Sequence, residues 1–147
     1  MASVSLSTIR GRFATAVDAI AGMSASRNPF DRFGYVPNTV AHLRFSVGIL
    51  SASRMNADRQ RQNSGIFMQS YIGIKFAYRL RPKDQITSYD EAYNKANDIV
   101  AALTNRTSAV YTNLQIYFED ITHEVTDSGE YMIFTLRFLV YHYLPLT

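Results

Sequence analysis

Hydrophobic positions recur along this chain with two different periods, and where the period changes the element changes. Leu6, Ile9, Phe13, Ala16, Val17 and Ile20 fall three or four residues apart, the spacing of one helical stripe, which predicts a helix over 5–21. Ser5 or Ser7 suits its N-cap and Gly22 its end. From Met23 to Asn38, Pro29, Gly34 and Pro37 stand among Phe30, Phe33 and Tyr35, which breaks both periods and reads as a loop anchored by aromatics. From Val40 the period is two: Leu43, Phe45, Val47 and Ile49 alternate with His42, Arg44, Ser46 and Gly48, as in a half-buried strand. A second strand over 66–80 shares Ile66, Met68, Ile72, Ile74, Phe76, Tyr78 and Leu80 on one face. Between these strands, 54–65 has almost nothing to bury and holds Arg54, Arg59 and Arg61, so a mobile, arginine-rich hairpin loop is expected.

Ser88-Tyr89-Asp90-Glu91 has the form of a capping box, in which Ser88 and Glu91 satisfy the first amides of a helix. Tyr89, Ala92, Tyr93, Ala96, Ile99, Val100 and Leu103 keep helical spacing from there to Thr104. The last third predicts two long strands. Leu114, Ile116 and Phe118 alternate up to Glu119-Asp120, after which Ile121, His123 and Val125 take the opposite parity, which requires a bulge near Glu119. Thr126-Asp127-Ser128-Gly129 is turn chemistry, and Tyr131 to Tyr143 forms the final strand, apolar enough on both faces to be covered on both sides. The expected fold is a single α+β domain over 1–147, in the order helix-strand-strand-helix-strand-strand, with two helices packed on a mainly antiparallel sheet.

Composition narrows the function. Of 147 residues, 47% are hydrophobic and 18% charged, too rich in core-formers for disorder. No run approaches the roughly 18 apolar residues of a membrane span, and Met1 to Leu6 does not read as a secretory signal, so no membrane partner is expected. The absence of cysteine removes disulfides, thiolate nucleophiles and sulfur-ligated zinc. The net charge of +3 hides an asymmetry: residues 1–81 carry ten Arg and one Lys against three acids, whereas 82–147 carry four bases against nine acids. Copies that meet basic face to acidic face, or one face turned to a polyanion, would use that division.

Candidate chemistry is sparse. His42, His123 and His142 lie far apart in predicted strands, and a metal would need the fold to gather them with a carboxylate such as Glu124, so no metal is expected. No phosphate-binding loop, dinucleotide fingerprint or nucleophile elbow is present, so neither a cofactor nor enzymatic activity is expected. Glu119, Asp120 and Glu124 form the densest acidic cluster, better suited to an acidic contact surface than to acid–base catalysis. Arg54, Arg59 and Arg61 are suited to phosphates without base readout, or to a soluble hairpin tip.

The N-terminal helix, the long hairpin with its polar loop, the Ser88-to-Thr104 helix and the strand pair from Leu114 to Leu144 together resemble the tail terminator (tail completion, neck) proteins of long-tailed bacteriophages. The resemblance covers nearly the whole chain and is topological. It implies a virion structural protein assembled in the host cytoplasm. Its copies would form a ring, a hexamer in that family, that caps the tail tube protein, ends its polymerisation and joins a head-completion or connector protein. DNA would pass through the ring, with Arg54, Arg59 and Arg61 facing the tube, the lumen or the DNA. Alternatives are another head-completion protein, a small α+β nucleic-acid-binding module, and an enzyme or ligand binder with a pocket between helices and sheet.

Overall fold

The computed structural model describes residues 2–26, 42–55, 65–127 and 129–145, together with the backbone of 61–62. The first helix, α1 (Leu6–Asp18), is capped by Ser5, whose Oγ accepts from the Thr8 amide at 3.2 Å. It ends earlier than its apolar stripe suggests, at Asp18, and buries Ile9, Phe13 and Val17. Within the segment read as a loop, β1 (Ser24–Ala25) pairs in parallel with the start of β2 (Arg44–Arg54). The aromatics Phe30, Phe33 and Tyr35 lie outside the described residues.

β2 extends five residues beyond Ile49, the last member of the alternating set, so Arg54 is strand and not loop. After a bulge at Leu50 the extension pairs with β4 (Gly65–Arg79) from Ser51 opposite Tyr71 down to Arg54 opposite Met68. A short β3 (Arg61–Gln62) then pairs with the first two residues of β4. The sequence pattern could not show this extension, because Ser51, Ala52, Ser53 and Arg54 are all exposed and an edge strand needs no buried alternation there.

α2 (Gln85–Leu103) starts three residues before the expected capping box. Ser88 is not its cap but a wholly buried first-turn residue: its hydroxyl donates to the Asp84 carbonyl and accepts from the Arg81 amide, each at 3.1 Å. Glu91 turns outward to Arg81 and Tyr78, at 2.7 Å from each. A 3-10 turn, Ala109–Tyr111, leads into β5 (Gln115–Val125), and β6 (Tyr131–Leu144) closes the chain's last hairpin. The expected bulge is present, because Phe118 pairs with Phe138 and Asp120 with Arg137, leaving Glu119 without an opposite residue.

The fold is α+β, with the path β1-β2-β4-β6-β5 through a sheet that is antiparallel except at β1. Both helices share one core with one sheet face. Phe13 meets Phe138 edge to face at 5.8 Å, and Phe76 stacks on Phe134 at 4.9 Å. Each such ring removed from water contributes on the order of 2 kcal/mol. The other face carries no helix among the described residues. There Ile133 is buried and Thr135, Arg137, Leu139, Tyr141 and Tyr143 are half-buried; among the described residues no second layer lies over them, so the cover expected on both sides of β6 is shown on the helix side alone. Arg137 lies 5.3 Å from the Tyr71 ring centre, and Phe67 packs on Tyr143 at 5.0 Å.

Candidate functional site

The path of the sheet leaves two open rims, the outer edges of β2 and β5, separated by three inter-strand steps of about 4.8 Å each. Beyond Phe45, β2 has no further strand on its outer side among the described residues, and neither does β5. Their charges are opposed. β2 and β3 contain Arg44, Arg54 and Arg61 and no acid, whereas β5 contains Glu119, Asp120 and Glu124 and neither Lys nor Arg.

The structure brings two of the three candidate arginines to one rim. Arg54 stands opposite Met68 and Arg61 opposite Ile66, two positions apart along β4. Arg59 lies outside the described residues, as does most of the predicted 54–65 loop. On the acidic rim the three carboxylates part company. Glu119 is exposed on the bulge, Asp120 approaches Arg137 with Oδ2 3.6 Å from Nη1, and Glu124 is exposed opposite Ile133. Asp120 and Glu124 are four residues apart on an extended strand, about 13 Å, so they do not form a carboxylate dyad.

The histidines also stay apart. His123 stands opposite Phe134 while His142 is eight residues further along β6, about 27 Å away. His42 accepts from the Arg79 amide through Nδ1 and packs edge to face on Tyr78; burial, then Arg79 and Arg81, push its pKa below the ordinary value. His142 is buried against Ser70. Among the described residues no group of three or more His, Asp or Glu side chains is placed to hold a metal. A groove between α1 and the 3-10 turn is lined by Gly11, Arg12, Thr15, Ala109 and Thr112, with Arg12 donating to the Thr112 carbonyl. It contains none of the candidate residues.

One feature of the acidic rim escaped the sequence reading. Ile86 is 78% exposed, Tyr89 44% and Val125 51%. Tyr89 leans on Tyr93 and on His123, the neighbour of Glu124, and the Tyr93 hydroxyl lies 2.6 Å from His123 Nδ1. Tyr89 thus lies against the acidic strand, on the helix side of the sheet, while Val125 ends that strand. The helical spacing puts Tyr89 on the buried stripe of α2 with Ala92, Ala96, Ile99 and Leu103, but Tyr89 is exposed and Ser88 is the buried member at that end. Ile86, three residues before Tyr89 on the first turn, was the available signal once the helix is started at Gln85. The basic rim has its own apolar strip, Ile49 and the bulged Leu50, the latter 51% exposed.

No protein-family model matches the chain, and no curated protein matches it. The chain is an α+β fold with a mixed sheet and two helices. Among the described residues no helix is long and apolar enough to cross a membrane.

Proposed function

We propose that this chain is a virion structural protein whose copies form a ring, of six in the reading argued from its resemblance to phage tail terminators. The ring caps the tail tube, ends its polymerisation and joins it to the head-completion or connector protein while DNA passes through its centre. The observation that carries this reading is the pair of open sheet rims of opposite charge on opposite sides of one subunit. Two different surfaces on one chain support heterologous, head-to-tail association, which closes into a ring when the rotation between copies divides a full turn. The long strand pairs flanking α2 also suit the resemblance.

The test is native mass over a range of protein concentrations, with negative-stain images of the same sample. A particle of about six times 16.7 kDa, ring-shaped and with a central hole, is expected. A compact dimer at every concentration overturns the reading.

A further inference from the structure

We infer that the two rims pair with each other between copies: the outer edge of β2 at Leu50–Arg54 seats edge-on against the end of β5 at Glu124–Val125 and the start of α2, where Ile86 and Tyr89 are exposed, of the next copy. The inference rests on the proposed function for its occupant, a second copy of this chain, and adds to it which residues meet.

Three observations lead there. Exposed Leu50 on one side, and Ile86, Tyr89 and Val125 on the other, supply the apolar centre that a stable interface needs, and aromatic residues such as Tyr89 are favoured in such centres. The surroundings of the two patches are complementary. β2 contains two arginines and no acid, while β5 contains Glu119 and Glu124, both exposed, with Asp90 exposed beside Tyr89 on α2. Such pairing steers like chains into one register and opposes rim-to-same-rim contact by like charge. Finally, both rim strands are broken by a bulge, at Leu50 in β2 and at Glu119 in β5. Bulges interrupt the row of backbone groups that would extend a sheet strand by strand, so the contact is made by side chains and not by a continuous ladder between copies.

Two variants, each disabled on one rim, test this. Leu50→Asp with Arg54→Glu removes the β2 rim, and Ile86→Asp with Glu124→Arg removes the β5 rim; all four residues are exposed, and unchanged circular dichroism and melting temperature certify folding. Should Leu50→Asp disturb its packing over Gly73, Ser53→Glu with Arg54→Glu replaces it. Sedimentation velocity should show each variant alone as a monomer, its self-association at least tenfold weaker than the wild type's. An equimolar mixture should give a one-to-one dimer and nothing larger, since one intact rim of each kind remains. Assembly of either variant alone, a mixture that stays monomeric, or a wild-type chain that is monomeric at every concentration overturns the inference. Rings that persist in both variants overturn the pairing while leaving the ring. Open chains in the wild type that both variants abolish support the pairing and overturn the ring.

Discussion

Oγ of Ser70 lies 2.7 Å from Nε2 of His142, and both side chains are wholly out of solvent. The other ring nitrogen of His142, Nδ1, has no hydrogen-bond partner among the described residues. Burial disfavours a second ring proton and outweighs the backbone groups of Tyr143 and Val4, which favour it, so the pKa of His142 lies below the ordinary value.

Stability should fall on acidification for that reason. Burial sets the native pKa of His142 below the ordinary 6.5, so as the pH drops below about 6.5 the unfolded chain takes up a proton that the native chain resists. The stability is full above 6.5 and is lost progressively toward the lower native pKa. His42 is shifted in the same direction, by burial first. Melting curves at pH 7.5 and 5.5 should show a clear drop for the wild type, a smaller one for His142→Gln, and a smaller one still with His42→Gln added. An undiminished drop in the double variant counts against both assignments.

Removing Phe134 should cost about 3–5 kcal/mol in urea denaturation as Phe134→Ala. The ring is completely buried, stacks on Phe76 and touches Tyr93 edge to face at 4.9 Å, so its loss opens a cavity between the sheet and α2. A cost under 1 kcal/mol would show that the site collapses and that the packing is looser than these contacts indicate.

Two glycines with positive φ should respond differently to alanine. At Gly65, φ is +122° and an added Cβ would lie 1.9 Å from the Leu144 carbonyl oxygen, a backbone atom that can retreat only by parting β4 from β6. At Gly129, φ is +74° and nothing stands within 4 Å. Gly129→Ala should cost only the left-handed conformation, on the order of 1 kcal/mol. Gly65→Ala should cost at least about 2 kcal/mol more, read from the difference in denaturation midpoints.

Ser88→Ala should destabilise by about 1–3 kcal/mol, because it leaves the Arg81 amide without the hydroxyl that accepts from it where the chain enters α2. A cap lost from an exposed helix end would cost about 1 kcal/mol and be repaired by Ser88→Asp. A buried Ser88 predicts the reverse, with Asp worse than Ala, which chemical denaturation of the two variants resolves.

Ser88 also shows where sequence stops being a sufficient guide. A serine three residues before a glutamate has the same pattern whether the pair caps a helix or lies one turn inside it, and the contact with Arg81 that decides the matter is tertiary. The bulge at Glu119 was legible because apolar residues on both sides of it change parity. The bulge at Leu50 was not, since Ser51, Ala52 and Ser53 beyond it are small and exposed on both faces and have no parity to change. The same holds for the candidate surfaces. Arginines close in sequence were visible, but the contact of Tyr89 with His123 joins a helix start to a strand end, and only the folded chain brings them together.

Among the described residues β6 is the last strand in sequence, but it occupies the interior of the sheet, between β4 and β5. A chain synthesised only as far as Val125 holds β2 with β4 on one side and an unattached β5 on the other, with no strand in common. Insertion of β6 joins the two portions and places the basic and acidic rims at opposite edges of one object. Completion of the core and separation of the two rims to opposite edges are thus one event: until β6 is in place, the basic and acidic strands have no fixed relation to each other.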